Sequence, residues 1–179
     1  MAQRGSYRMA KRDVFLGAAS AFLATFPCAA SFAQSASSCV SVELRNPARV
    51  AVRCPGGLVL EAEAATGLLI RAPTSGGPPT SAEVSGQAVL INLSLPRRFE
   101  IRTPHAIASV RGTVYAVEVT TGSTAVFVAE GKVQVAKRGG RGVAILGPGE
   151  GVDVTSGVEL TVRRWPEQRV RRLLSRFGR

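Results

Sequence analysis

Between Phe99 and Val154 apolar and polar residues alternate in short runs cut by glycine. Tyr115, Val117 and Val119 alternate with Ala116, Glu118 and Thr120, and Val126 and Val128 with Ala125, Phe127 and Ala129. Val133 and Val135 alternate with Lys132 and Gln134. A period of two among β-branched residues is the pattern of half-buried strands. Gly122, Gly131, Gly139, Gly147 and Gly157 separate the runs at ordinary strand spacing. Upstream, the same reading predicts strands over 40–44, 50–54, 58–62 and 68–71, punctuated at 55–57 and 66–67. Residues 73–82, uncharged and rich in Pro, Gly, Ser and Thr, predict a loop, and 84–95 a further strand pair. No helix is expected between 39 and 162. The fold class is all-β, a β-solenoid-like or β-sandwich stack of short strands, read as an N-terminal β region (39–98) and a second β domain (99–162).

The period changes at Trp165. Pro166 suits a first helical position and Glu167 a first turn. Val170, Leu173, Leu174 and Phe177 then recur at i, i+3, i+4 and i+7 among Arg169, Arg171, Arg172 and Arg176, a basic amphipathic helix within 163–179. So short a helix is marginal alone. Its stripe caps an open end of the β stack, hiding an edge, or lies on an anionic membrane surface, the third alternative being a mobile tail.

The first residues read as an export signal. Arg4, Arg8, Lys11 and Arg12 precede an apolar run over 14–26, shorter than the ~20 residues that cross a bilayer. Pro27 breaks the run, and Ser31-Phe32-Ala33 supplies the small residues of a cleavage site. The expectation is a signal peptide over 1–33, a disordered mature terminus over 34–38 and a periplasmic protein. In that oxidising compartment Cys39 and Cys54 suggest a disulfide. Aligning the apolar residues of the two strands, Val42 against Val52 and Leu44 against Val50, sets Val40 rather than Cys39 opposite Cys54. Cys39 would then have to curl over the strand end.

Several landmarks occur in order: Thr103-Pro104; Val110-Arg111-Gly112-Thr113; Val126, Val128, Glu130-Gly131, Val133 and Val135; and Leu146-Gly147-Pro148-Gly149-Glu150. This stretch, about a third of the chain, resembles the FecR domain, the periplasmic sensing module of bacterial FecR-type regulators. Each landmark also has a physical reading. Gly112 and Gly131 fit positions of positive φ or close backbone approach, Pro104 fits an edge or a strand entry, and Pro148-Gly149 fits a turn. Thr103, Pro104, Gly112, Thr113, Glu130, Gly131, Gly149 and Glu150 are therefore read as structural keystones. In the family, the resemblance implies, the module follows a cytoplasmic anti-sigma segment and a membrane helix, and relays the state of an outer-membrane siderophore transporter to a sigma factor. Here 13 residues precede Val14. What carries over is the fold and binding to another envelope protein by strand addition at an exposed edge, not direct sigma-factor regulation.

The chemistry of catalysis is thin. The chain has one histidine, His105, and after the leader one aspartate, Asp153. No serine sits in a nucleophile elbow, and no four-ligand zinc set can be assembled. Glu118 and Glu130 can share a polar strand face, where carboxylates are usually solvated. The reading is a non-enzyme without cofactor or metal. A formal net charge of +11 opens a second possibility, binding to lipopolysaccharide, anionic lipid or acidic envelope polymer. The run Lys137-Arg138-Gly139-Gly140-Arg141-Gly142 lacks a phosphate-loop ending and reads as a solvated basic loop. Few aromatics interleave the arginines, so no nucleic acid is expected.

Overall fold

A computed structural model of the chain describes residues 39–179. The signal peptide assigned to 1–33 and the terminus over 34–38 lie outside the described residues. The predicted alternation becomes β1 (Val40–Arg45), β2 (Ala48–Cys54), β3 (Leu58–Glu63), β4 (Gly67–Arg71), β5 (Ser81–Ser85), β6 (Gln87–Leu93) and β7 (Arg98–Arg102). There follow β8 (Ala106–Arg111), β9 (Val114–Val119), β10 (Ser123–Glu130), β11 (Val133–Lys137), β12 (Val143–Leu146), β13 (Glu150–Thr155) and β14 (Arg163–Arg164), then one helix, α1 (Glu167–Ser175).

The strands form an eight-stranded sheet, β1-β2-β3-β6-β9-β10-β13-β14, and a six-stranded sheet, β12-β11-β8-β7-β5-β4. Neighbours are antiparallel except β5 and β7, which run parallel. Residues such as Leu58, Leu60, Val89, Ile91, Phe99, Ile101, Val133 and Val135 form the inter-sheet core, so the stack is a two-sheet sandwich. The chain alternates between the sheets, crossing after β3, β5, β6, β8, β10 and β12. Position 98/99 consequently marks no domain boundary. The two stretches divided there interleave, β6 pairing with β9 and β5 with β7.

The central strands of the larger sheet are buried on both faces, against the half-buried expectation. Ala88, Leu90, Ala116, Ala125 and Phe127 point away from the inter-sheet core and make a second one with Trp165, Leu173 and Phe177. The tail thus covers a sheet face, not an open edge. Pro166 is the N-cap rather than the first helical residue, with extended φ −61° and ψ 142°.

Two smaller expectations are also corrected. The 73–82 loop ends at Thr80, because Ser81 begins β5 and Ala82 is buried in the core. The β1–β2 register is Val42↔Ala51 and Leu44↔Arg49, one residue from the apolar alignment. Continued outward, that register sets Cys39 directly opposite Cys54, and the two form a disulfide with Cα atoms 4.1 Å apart. A one-residue slip exchanges the faces of a strand, and Val40 and Val42 accordingly face solvent. Among the described residues no helix is long and apolar enough to cross a membrane.

Candidate functional site

Six of the eight keystone residues sit where the chain changes sheets. Gly112-Thr113 carries it from β8 to β9, Gly131-Lys132 from β10 to β11, and 147–149 from β12 to β13. Thr113 is buried, exchanges backbone hydrogen bonds with Leu93, and turns its Oγ1 toward the Arg111 and Lys132 carbonyls at 3.3 and 3.1 Å. Gly131 has φ +82°, and a Cβ there would stand 2.9 Å from the Gly112 carbonyl oxygen and from Thr113 Oγ1. Positive φ and close approach therefore both apply, and two corners nest against each other. At the third corner the Gly147 N–H donates to Glu150 Oε2 at 2.7 Å, and the Gly149 N–H donates to the Val128 carbonyl at 2.9 Å. Glu130 is exposed at its corner.

Thr103-Pro104 makes the β7–β8 turn at the opposite end. The Ala106 N–H donates to Thr103 Oγ1 at 2.9 Å, and Thr103 Oγ1 lies 2.9 Å from Thr124 Oγ1 on the facing sheet. His105 Nδ1 reaches the same Thr124 hydroxyl at 3.1 Å. Thr103 and Thr124 are buried, so this cluster is a polar tie between the sheets. Pro104 is exposed. His105 thereby has a partner that a lone surface histidine lacks.

The remaining candidates separate. Glu118 pairs across β9–β10 with Ala125 and Glu130 with Val114, which places the two carboxylates at opposite ends of that hairpin. Glu118 instead accepts from Arg176, which also donates to Glu63 on β3. Hydrogen bonding to Glu63 is the largest influence raising the Arg176 pKa, with Glu118 adding to it and burial opposing it. In the tail, Leu173 and Phe177 are buried against the sheet, and Val170 and Leu174 pack beside them half-buried.

Trp165 and Gly151 have structural roles that the sequence pattern does not assign. Trp165 stacks on Phe127 with ring centroids 5.3 Å apart, under the Arg169 guanidinium at 3.5 Å. Gly151 makes room for the indole, since a Cβ there would fall 2.4 Å from it. A glycine inside a strand is the available hint of such close approach, but Gly-Pro-Gly-Glu-Gly reads first as a turn. Among the described residues no group of three or more His, Cys, Asp or Glu could hold a metal.

Sandwich and corners together define an all-β scaffold whose distinctive residues fix backbone. Its family is identifiable: the sequence profile described as FecR protein matches residues 41–134, more than half of the chain, and the chain belongs to that family. The match spans both β regions read from the sequence, and the Leu146–Glu150 landmark lies beyond it. Among curated proteins none matches at a significant level. Two crystal structures of a candidate anti-sigma factor from Parabacteroides distasonis, at 1.65 and 2.50 Å resolution, share the fold. Each is 24% identical, with TM-scores of 0.56 and 0.57, over 73% and 74% of this chain. The chain spans 62% of the length of those solved chains.

Proposed function

We propose that the protein is an exported, non-catalytic signalling module that acts in the cell envelope by binding another protein. One observation carries this reading: in a FecR-family chain, three of the four polar keystone side chains, all but the exposed Glu130, are spent on holding its own fold. Thr113 faces two carbonyls, Thr103 an N–H group and a buried threonine, and Glu150 an N–H group. What remains for function is surface. The solved structures that share the fold are of a candidate anti-sigma factor, which favours a regulatory setting.

Affinity capture from envelope extract at low and high salt tests the reading. A partner retained at high salt is expected, and the absence of any captured protein overturns it. Export is tested separately by mass spectrometry of periplasmic protein. A terminus near Gln34 is expected, and an intact Met1 terminus in the membrane pellet would sink that part of the proposal.

A second reading, attachment to an anionic envelope polymer or lipid surface, draws on the exposed Arg163, Arg164, Arg171 and Arg172 beside and on α1. With the apolar stripe of α1 turned inward, such attachment is electrostatic. It weakens steeply as salt rises, which separates it from the first reading.

A further inference from the structure

The two sheets present different outer faces. α1 covers that of the larger sheet, whereas among the described residues no helix packs on that of the smaller one. At its β12 edge Val143 and Ile145 are 61% and 67% exposed. Register sets Ile145 beside Gln134, Gln134 beside Ser109, and Ser109 beside Glu100, a row running across four strands.

The next row toward the keystone corners is cationic. Arg98 stands directly opposite Arg111. The β8–β11 register, carried one residue past Val133↔Val110, places Lys132 on the other side of Arg111. Three exposed cations therefore line up across adjacent strands at steps of ~4.8 Å. Like charges directly opposite one another destabilise a sheet. Glu100 offsets Arg98 at 3.5 Å and Arg102 at 3.1 Å, while Arg111 and Lys132 form no ion pair among the described residues. The row borders a groove of about 510 Å³ that Ile145 also lines.

We propose that this groove binds an acidic, extended segment of a partner protein. Its carboxylates lie over Lys132, Arg111 and Arg98, and an apolar side chain rests on Ile145. The proposal rests on the protein-binding reading above and names the partner's chemistry. Carboxylates at alternate positions of an extended chain are ~7 Å apart and fit within the ~10 Å row. A peptide is favoured over a uniform polyanion because a polyanion has no use for the exposed isoleucine.

The test is fluorescence anisotropy of a labelled peptide, Glu-Ser-Glu-Ser-Leu, whose alternate positions put two carboxylates and one leucine on the same face, titrated with the protein. Controls are the same peptide with Gln for Glu, and polygalacturonate as a polyanion without apolar side chains. Binding of the Glu peptide is expected, weakened about tenfold by Gln or by Arg111→Glu and about threefold by Ile145→Ser. Both substituted positions are exposed, so unchanged melting temperatures verify folding. Equal affinity for the Glu and Gln peptides overturns the site. So does polygalacturonate bound as tightly and indifferent to Ile145→Ser, or self-association abolished by Ile145→Ser, which makes a second copy the occupant. Envelope proteins captured equally by the wild type and the Arg111→Glu, Ile145→Ser double variant overturn the site and leave the protein-binding reading standing. Capture of nothing by either overturns that reading and this proposal with it.

Discussion

Tyr115 sits wholly inside the inter-sheet core, and its hydroxyl has no hydrogen-bond partner among the described residues. An unsatisfied buried hydroxyl costs ~1–3 kcal/mol. Tyr115→Phe is accordingly expected to stabilise the protein by about 1 kcal/mol in urea titrations. Burial also pushes the phenol pKa above its ordinary value. The unfolded chain then releases a proton near pH ~10 that the folded state keeps, so this residue leaves stability unchanged below that pH and lowers it as pH rises above. The phenylalanine variant flattens the alkaline slope. Gly151 is the converse case, a site with no space to fill. Gly151→Ala is expected to displace the indole of Trp165, the only tryptophan, and to destabilise by ~1–3 kcal/mol. A red shift of its emission checks this. Neither role is readable locally, because each depends on what a distant segment brings against the residue.

For α1 the helical stripe itself was legible, since i, i+3, i+4 and i+7 spacing needs only the residue's own neighbours. The face it meets was not. Ala88, Ala116 and Ala125 look like the solvent side of alternating strands until β6, β9 and β10 are paired and the helix is laid over them. Leu173→Ser is expected to lower stability by ~2–5 kcal/mol and Leu174→Ser by less, because Leu173 is buried and Leu174 only half so. Thermal melts of the two variants check the order. In the β1–β2 hairpin, matching valine to valine misplaced the register, because β1 turns its valines to solvent while β2 turns Val50 and Val52 inward. With the cysteines opposed, alkylation of the unfolded, unreduced chain should find Cys39 and Cys54 unlabelled. Reduction should cost ~3 kcal/mol in denaturant, as expected for a closed loop of this size.

Across the whole molecule, strand content and corner glycines were visible as local pattern, but the sandwich, the second core and the cation row depend on register. Arg98, Arg111 and Lys132 are far apart in sequence and become a row only when β7, β8 and β11 lie side by side. The repeated crossing between sheets has a further consequence, for a chain cut in two. A protease nick at the exposed Gly76-Gly77 would leave β1 to β4 on one fragment and the other strands on the other. Each fragment supplies strands to both sheets, and β3–β6 and β4–β5 pairing spans the cut. The nicked protein should therefore migrate as one species on a native gel and as two under denaturing conditions. Separately expressed fragments should each lack a complete sheet and regain the fold only when mixed, as a split protein whose reassembly can be read out by Trp165 fluorescence.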